Sequence, residues 1–256
     1  MSGQDMTSHS YTYNNAFLQY AAHSSAYSAH VITSILNAEL AVESVLDVGC
    51  AMGTWLHAWR DSGVADYHGV DGDYVDRGKL EIPAAAFTAV DLNATFDLGR
   101  KFDLVQSLEV AEHVEPRAAE AFVDSLARHA SRYILFSAAP PGQGGEFHIN
   151  EQSYDYWREK LDRRGFVVVD ALRPIIADDA RISYWYRYNA FLFVRREALD
   201  GAPPGLRDKL VAEGAPLIDV SPLTFRIRKA LVRRLPYGAQ QEIARLKARF
   251  FPTGRL

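Results

Sequence analysis

Short apolar segments alternate with segments of helical periodicity through the middle of the chain. Residues 44–48 (SVLDV) form an apolar run that a glycine ends, and residues 53–61 after them have a helical pattern. Strands that alternate with helices predict an α/β fold with a parallel sheet and helices on both faces. The further predicted strands are residues 66–70, 86–90, 101–107, 132–137, 166–174 and 188–196. One further helix is predicted to begin near Pro116, and another to cover residues 151–164.

The last two of these strands differ from the others because only a loop is expected between them. Two strands joined in this way are antiparallel, whereas parallel strands need a long crossover connection. We therefore predict a mixed sheet that spans residues 41–198, with its final strand antiparallel to the rest.

The two ends of the chain have other patterns. Residues 10–40 are rich in Tyr, Ala, Ser and His and predict one or two helices, so that residues 1–40 form a helical cap. The stretch GAPPG (201–205) reads as a linker, and residues 199–256 are predicted to be this linker and a helical tail.

The tail carries a basic amphipathic helix. Leu223, Ile227 and Leu231 are spaced four residues apart, with cations between them. We expect this face to pack on the domain or on a second copy of the chain. A membrane surface or an anionic glycan is the alternative partner.

Charge and composition narrow the class of protein. The formal net charge is −4, but residues 221–256 hold nine Lys or Arg and one acid, a net +8 that leaves −12 elsewhere. A body this acidic is not expected to bind a specific nucleic acid. The single cysteine, Cys50, fits a reducing compartment, no apolar run approaches the roughly 18 residues of a membrane span, and the N-terminus lacks a secretory pattern. We therefore expect a cytoplasmic protein whose basic tail can also contact the inner face of the membrane.

A tight glycine-containing turn follows the first predicted strand. In VLDVGCAMG (45–53), Gly49 and Gly53 remove side chains where a ligand would approach the backbone, and a helix N-terminus comes next. Asp71 ends the second predicted strand about 20 residues later, where a carboxylate can accept hydrogen bonds from both hydroxyls of an adenosine ribose. Asp91 ends the third strand and could bind an adenine amino group.

VLDVGCAMG resembles the first motif of class I S-adenosylmethionine-dependent methyltransferases, usually Asp-Val-Gly-Cys-Gly-x-Gly, except that Ala51 stands where the family has glycine. The segment FDLVQSLEVAEHV (102–114) is similar to their fourth-strand motif. The resemblance covers roughly residues 40–196 and implies a Rossmann-like seven-stranded sheet. It implies S-adenosylmethionine as cofactor, bound by Asp47, Gly49, Cys50, Ala51, Gly53, Asp71, Gly72, Asp91, Leu92, Ser107 and Leu108.

The segment EVAEH (109–113) follows the fourth strand directly. If it forms a helical turn, Glu109, Glu112 and His113 lie on one face, which would suit Mg²⁺ or Mn²⁺. His148 lies just beyond the fifth strand, within the Gly- and Pro-rich residues 138–150, which we expect to form a mobile lid.

Glu-x-x-Glu-His with a later histidine resembles two metal-dependent O-methyltransferase families, which act on small-RNA ribose 2′-hydroxyls and on catechol-type intermediates of ubiquinone synthesis. The resemblance implies that Glu109, Glu112, His113 and His148 bind a metal that holds two adjacent hydroxyls and lowers the pKa of one of them. Glu109, His113 and His148 would then be the catalytic residues. The pattern also fits a metal-free site in which Glu112 caps a helix, His113 is packed and His148 is the general base.

Aromatic residues suggest the acceptor. Trp157 follows the lid, and Tyr184, Trp185 and Tyr186 lie together in RISYWYRYN (181–189), where they could stack on a sugar or a phenol, or pack in the core. The lid also resembles that of bacterial polysaccharide and glycolipid methyltransferases. The sequence therefore predicts metal-assisted O-methylation of a sugar hydroxyl in such a precursor. A metal-free O- or N-methyltransferase of a phenolic or other small natural product, and a non-catalytic partner subunit that binds S-adenosylmethionine, are the alternatives.

Overall fold

Seven strands form one mixed sheet at the centre of the computed structural model, which describes the backbone of residues 15–250 and the side chains of residues 25–243. The strand order is β3-β2-β1-β4-β5-β7-β6, and β7 alone runs antiparallel to its neighbours. The strands are β1 (Ser44–Val48), β2 (Asp66–Asp71), β3 (Phe87–Ala89), β4 (Phe102–Leu108), β5 (Ala130–Ser137), β6 (Phe166–Val169) and β7 (Phe191–Arg195). The predicted sheet, including its antiparallel last strand, is confirmed.

Helices cover both faces of this sheet. Ile32 of α1, Leu56 of α2 and Tyr186 of α6 belong to one apolar cluster, while Phe122 of α3 and Leu161 of α4 belong to the other. The described helices are α1 (Asn15–Leu40), α2 (Thr54–Asp61), α3 (Ala119–His129), α4 (Tyr154–Asp162), α5 (Arg173–Ile176), α6 (Tyr184–Asn189), α7 (Pro204–Arg207), α8 (Leu223–Val232) and α9 (Tyr237–Phe250). None of the described helices is long and apolar enough to cross a bilayer.

The connection between β6 and β7 is not the loop that the sequence predicted. Strand β6 ends at Val169, and the chain then forms α5 and α6 before β7 begins. Pro174 lies in the first turn of α5, where its missing N–H is tolerated and its fixed φ suits the helix. The aromatic stretch therefore belongs to a helix.

The segment expected to be a linker is packed against the sheet. Ala202 and Leu206 are buried in the core, and backbone hydrogen bonds join Asp170 to Lys209 and Val211 to Val168. These bonds extend the edge of the sheet beyond β6. The linker prediction is therefore wrong for these residues, while residues 1–14 of the predicted cap and 251–256 of the predicted tail lie outside the described residues.

Helix α8 packs with a face other than the one predicted for contact with the domain. Phe225, Lys229 and Val232 are buried, whereas Leu223, Ile227 and Leu231 are 64%, 51% and 59% exposed. The reason is aromatic packing, because the Phe225 ring lies edge-on to that of Tyr184, with 4.7 Å between their centroids.

Candidate active site

A left-handed turn connects β1 to α2. Gly49, Ala51 and Gly53 have φ values of 84°, 48° and 85°, in the region that favours glycine. A Cβ atom at position 49 would lie 2.4 Å from Cγ2 of Val110, so the approach of the loop after β4 also requires glycine here. The turn leaves the N-terminus of α2 facing the carboxyl edge of the sheet.

The Asp71 carboxylate ties this turn to the end of β2. It accepts hydrogen bonds from the backbone N–H groups of Ala51 and Gly72, both at 2.7 Å, and from the hydroxyl of Tyr74. Burial is the main effect on this carboxyl and raises its pKa. Asp71 thus joins the end of β2 to the glycine turn.

The other predicted cofactor residues lie along the same edge. Asp47 and Cys50 are buried beside Asp71, and burial raises the pKa of both, with a smaller contribution from the Asp71 charge. The N–H of Val90 donates to the backbone oxygen of Asp71 at 2.8 Å, which brings the exposed Asp91 and the half-buried Leu92 to the neighbouring strand end. Ser107, next to Leu108 at the end of β4, donates to the backbone oxygen of Val48 at 2.9 Å. The three predicted acids therefore end three adjacent strands.

Glu112, His113 and His148 form a compact cluster at the ends of β4 and β5. One ligand atom from each of them lies within 4.8 Å of the others. Glu112 is fully buried, and neither of its carboxylate oxygens has a hydrogen-bond partner among the described residues. Burial, followed by the nearby Glu109, raises its pKa well above the ordinary value. Its Oε1 lies 3.9 Å from Nε2 of His148, and a buried carboxylate without a hydrogen bond is unfavourable unless a cation or a proton accompanies it.

The two imidazoles of the cluster are held by hydrogen bonds at Nδ1. His113 Nδ1 donates to the backbone oxygen of Phe147 at 3.2 Å, and His148 Nδ1 donates to Oε1 of Glu151 at 2.8 Å. Burial lowers the pKa of His113 to about 3, so this ring is neutral at neutral pH. In a neutral ring with the proton on Nδ1, the lone pair is on Nε2.

The spacing had predicted that Glu109 shares one helical face with Glu112 and His113. The structure does not show this shared face. Only residues 111–113 form a short 3₁₀ turn, and Glu109 precedes it with a φ of 57°. Its carboxylate accepts hydrogen bonds from Gln143 at 2.8 Å and from Asn189 at 3.4 Å. Glu109 therefore lies outside the three-residue cluster, although it stays close enough to influence the pKa of Glu112.

Three residues that the sequence analysis did not name organise the site. Glu151 accepts hydrogen bonds from the N–H groups of Gly142 and Gly144, both at 2.7 Å, in addition to that from His148. Gln143 and Asn189 join Glu109 in a second network, with 2.8 Å between Asn189 Nδ2 and Gln143 Oε1. The three-residue separation of His148 and Glu151 was a usable signal, whereas nothing local in the sequence indicated the long-range Asn189 contact.

Most of the predicted stacking residues are covered. Trp157 is buried against Phe136 and Tyr156, so its face is not available to an acceptor. Tyr184 and Tyr186 are also buried, Tyr186 against Trp55 with 5.0 Å between the ring centroids. Only Trp185 remains half-exposed. These rings mainly build the wall behind the site.

A cleft of about 310 Å³ opens beside the loop of residues 138–150. Tyr154, Asp155, Arg226 and Arg233 are among its lining residues. The hydroxyl of Tyr154 donates to Oδ1 of Asn189 at 2.8 Å, which connects the cleft wall to the network around Glu109. Its volume is in the range of small-molecule sites.

The sheet order, the glycine turn and the acids at successive strand ends together define a class I S-adenosylmethionine-dependent methyltransferase. A family model described as a methyltransferase domain matches residues 20–171, more than half of the chain, and the chain belongs to this family. None of the curated proteins matches the sequence.

Solved structures share the fold at low sequence identity. The sugar N-methyltransferase KedS8 from Streptoalloteichus sp ATCC 53650 is 16% identical, with 77% of this chain and 98% of that chain covered and a TM-score of 0.51. An O-methyltransferase family protein from Burkholderia thailandensis is 13% identical over 71% of this chain and 59% of that one, also with a TM-score of 0.51. Magnesium protoporphyrin IX methyltransferase from Synechocystis PCC 6803, with bound S-adenosylhomocysteine, is 20% identical. The match covers 72% of this chain and 88% of that chain, with a TM-score of 0.48.

Proposed function

We propose that this methyltransferase transfers a methyl group to a hydroxyl of a sugar in a polysaccharide or glycolipid precursor, and that a divalent metal ion assists it. The observation that carries the proposal is the buried Glu112 carboxylate, which has no hydrogen-bond partner among the described residues and lies beside two histidines. Such a group is stabilised by a bound cation, and adjacent hydroxyls of a sugar are good ligands for the same ion.

The donor set fits a divalent ion. Two imidazoles and one carboxylate would hold the metal, with Nδ1 of each ring already occupied by a hydrogen bond to protein. Such outer partners are typical of metal-binding histidines, because they orient the ring toward the ion. Imidazole ligands favour transition metals, so Mn²⁺ fits better than Mg²⁺ among the two ions expected from the sequence.

The residues of the chain then have separate tasks. An ion held by Glu112, His113 and His148 would lower the pKa of the acceptor hydroxyl. Asp71 would accept hydrogen bonds from the cofactor ribose, and Asp91 would contact the adenine. Glu109, held by Gln143 and Asn189, would accept the proton of the acceptor hydroxyl as its oxygen bonds to the methyl carbon and the carbon–sulfur bond breaks. Because a sulfonium leaves as a neutral thioether, the chain contributes mainly the in-line position of the acceptor oxygen.

The cleft beside the loop has a volume that suits an acceptor of sugar size, and none of the four predicted metal ligands is among its lining residues. Its lining combines the Tyr154 ring with carboxylates and guanidinium groups, which suits a hydroxyl-rich, partly charged ligand. One relative of similar fold is named a sugar N-methyltransferase, which agrees with a sugar acceptor.

A metal-free reaction on a phenol or another small natural product is the second candidate. It is favoured by the hydrogen bond between His148 and Glu151, since a carboxylate that orients an imidazole is a common arrangement for a general base. In that case Glu112 would be protonated rather than bound to an ion.

Chelation separates the two candidates. The protein is freed of metal with EDTA, and turnover on sugar and phenolic acceptors is measured with and without added Mn²⁺ or Mg²⁺. Restored activity on sugars that is lost in Glu112→Gln supports the proposal, provided that calorimetry shows unchanged S-adenosylhomocysteine binding. Turnover that is insensitive to EDTA and to Glu112→Gln would exclude a metal.

A further inference from the structure

Exposed apolar side chains are concentrated in one part of the described chain. Of eleven large hydrophobic residues that the structure exposes between residues 25 and 243, eight lie between residues 218 and 243. Scattered apolar side chains are ordinary on protein surfaces, but a contiguous group marks an interaction site.

Helix α8 presents an ordered apolar stripe within this part. Leu223, Ile227 and Leu231 follow each other at intervals of four residues, so they lie on one face and span about 12 Å along the helix. The opposite face already packs against the domain through Phe225 and Val232. The helix thus has two apolar faces, and only one of them is used within the described residues.

Positive charge borders the stripe. Arg234 and the two cleft-lining residues Arg226 and Arg233 are exposed, and their guanidinium groups form no ion pair with any residue whose side chain the structure describes. Exposed arginines elsewhere in this protein are commonly paired with acids, as Arg117 is with Glu115. Apolar side chains flanked by unpaired arginines match the interface of an anionic bilayer, where the chains enter the acyl boundary and the cations meet the headgroups.

We infer that the outer face of α8 is a docking surface for an anionic membrane. A second copy of the chain would have to cover these arginines with acids or leave them facing each other, and the face offers only basic groups for such a self-complementary contact. The inner side of the same helix holds the loop of the candidate site, because Arg228 Nη2 donates to the backbone oxygen of Gln143 at 2.5 Å. If the proposed function holds, docking therefore brings the candidate site to the bilayer surface, within reach of lipid-linked acceptors.

Vesicle sedimentation tests this surface without cofactor or acceptor, so its outcome is independent of the proposed function. The full chain is mixed with vesicles of phosphatidylglycerol and phosphatidylcholine in equal parts, or of phosphatidylcholine alone. We expect binding to the anionic vesicles only, weakened by salt, and reduced at least about tenfold in the variant Leu223→Gln, Ile227→Gln, Leu231→Gln. Arg234→Gln should weaken it less.

Ile175→Gln is the matched control, since Ile175 is equally exposed but lies on α5. It should bind anionic vesicles like the unchanged protein, and all variants should keep their circular dichroism spectrum. Absence of binding to anionic vesicles would overturn the inference. So would a dimer that the triple variant converts to a monomer in sedimentation velocity without any vesicle binding, because the face would then be a contact between copies.

Discussion

His148 Nδ1 and Glu151 Oε1 are 2.8 Å apart, and the same carboxylate accepts the backbone N–H groups of Gly142 and Gly144. The Glu151 carboxylate thus holds two backbone groups of the loop that precedes it and also orients the His148 ring. The loop of residues 138–150 is therefore built around this carboxylate.

Glu151→Gln should lower kcat by about 10- to 100-fold, the usual effect of removing a partner that orients a site histidine. An amide presents an NH₂ group either in place of Oε2, which accepts the N–H of Gly142, or in place of Oε1, which accepts both Gly144 and His148. Either the loop that carries His148 or the ring itself is then less well held. Turnover assays and calorimetry with S-adenosylhomocysteine check this, and the affinity for the latter should not change. Glu146→Gln, in the same loop, is the control, and equal kcat values in the two variants would show that Glu151 does not act through His148.

Two glycines of this loop offer a matched comparison. Gly142 and Gly144 both have positive φ, at 85° and 68°, so alanine is strained at either position. A Cβ atom on Gly142 would lie 2.1 Å from the backbone oxygen of Lys229 in α8, whereas one on Gly144 has no contact closer than 3.6 Å.

Gly142→Ala should therefore reduce turnover and the midpoint of thermal unfolding clearly more than Gly144→Ala does. The added clash must move α8 away from the loop, and the excess loss of stability should be about 1–3 kcal/mol, as for other overpacked sites. Thermal unfolding and turnover of both variants are measured together. Equal losses would mean that backbone strain alone matters and that α8 does not support the loop.

The periodicity of hydrophobic residues was sufficient to predict the sheet, because buried parallel strands and amphipathic helices have strong local sequence patterns. The acids at the strand ends were predicted equally well, since the turn at Gly49 and the position of Asp71 follow from the strand boundaries. The predicted strand of residues 166–174 failed after Val169, because Pro174 belongs to a short helix whose pattern is too brief to recognise.

The site itself was predictable only where its residues are neighbours in sequence. The spacing of Glu109, Glu112 and His113 suggested one helical face, but the positive φ of Glu109 breaks that face and directs its carboxylate to Gln143. The orientation of α8 was also misjudged, because an apolar stripe with regular spacing does not reveal which of two apolar faces the domain buries.

Ala51→Gly should stabilise the protein. Ala51 has a φ of 48°, and a residue with a Cβ in this region is less stable than glycine by about 1–2 kcal/mol. Greater freedom of glycine in the unfolded chain offsets about 0.4–1 kcal/mol of this, so a net gain of about 0.5–1 kcal/mol is expected. Urea unfolding measures it, and Ala58→Gly, inside α2, should instead lose about 1 kcal/mol. A loss in Ala51→Gly would show that the Cβ makes a compensating contact.

Asp47→Asn should change how stability depends on pH. Burial raises the pKa of the Asp47 carboxyl to about 7 from an ordinary value of 3.8. Between these values the folded protein keeps a proton that the unfolded chain has lost, so ionisation favours unfolding and stability falls as pH rises through this window. The full effect is about 4 kcal/mol above pH 7, and asparagine removes it.

Urea unfolding from about pH 5 to about pH 8 should show Asp47→Asn gaining stability relative to the unchanged protein until it levels off above about pH 7. A constant difference for Asp47→Asn would mean that Asp47 is ionised throughout this range.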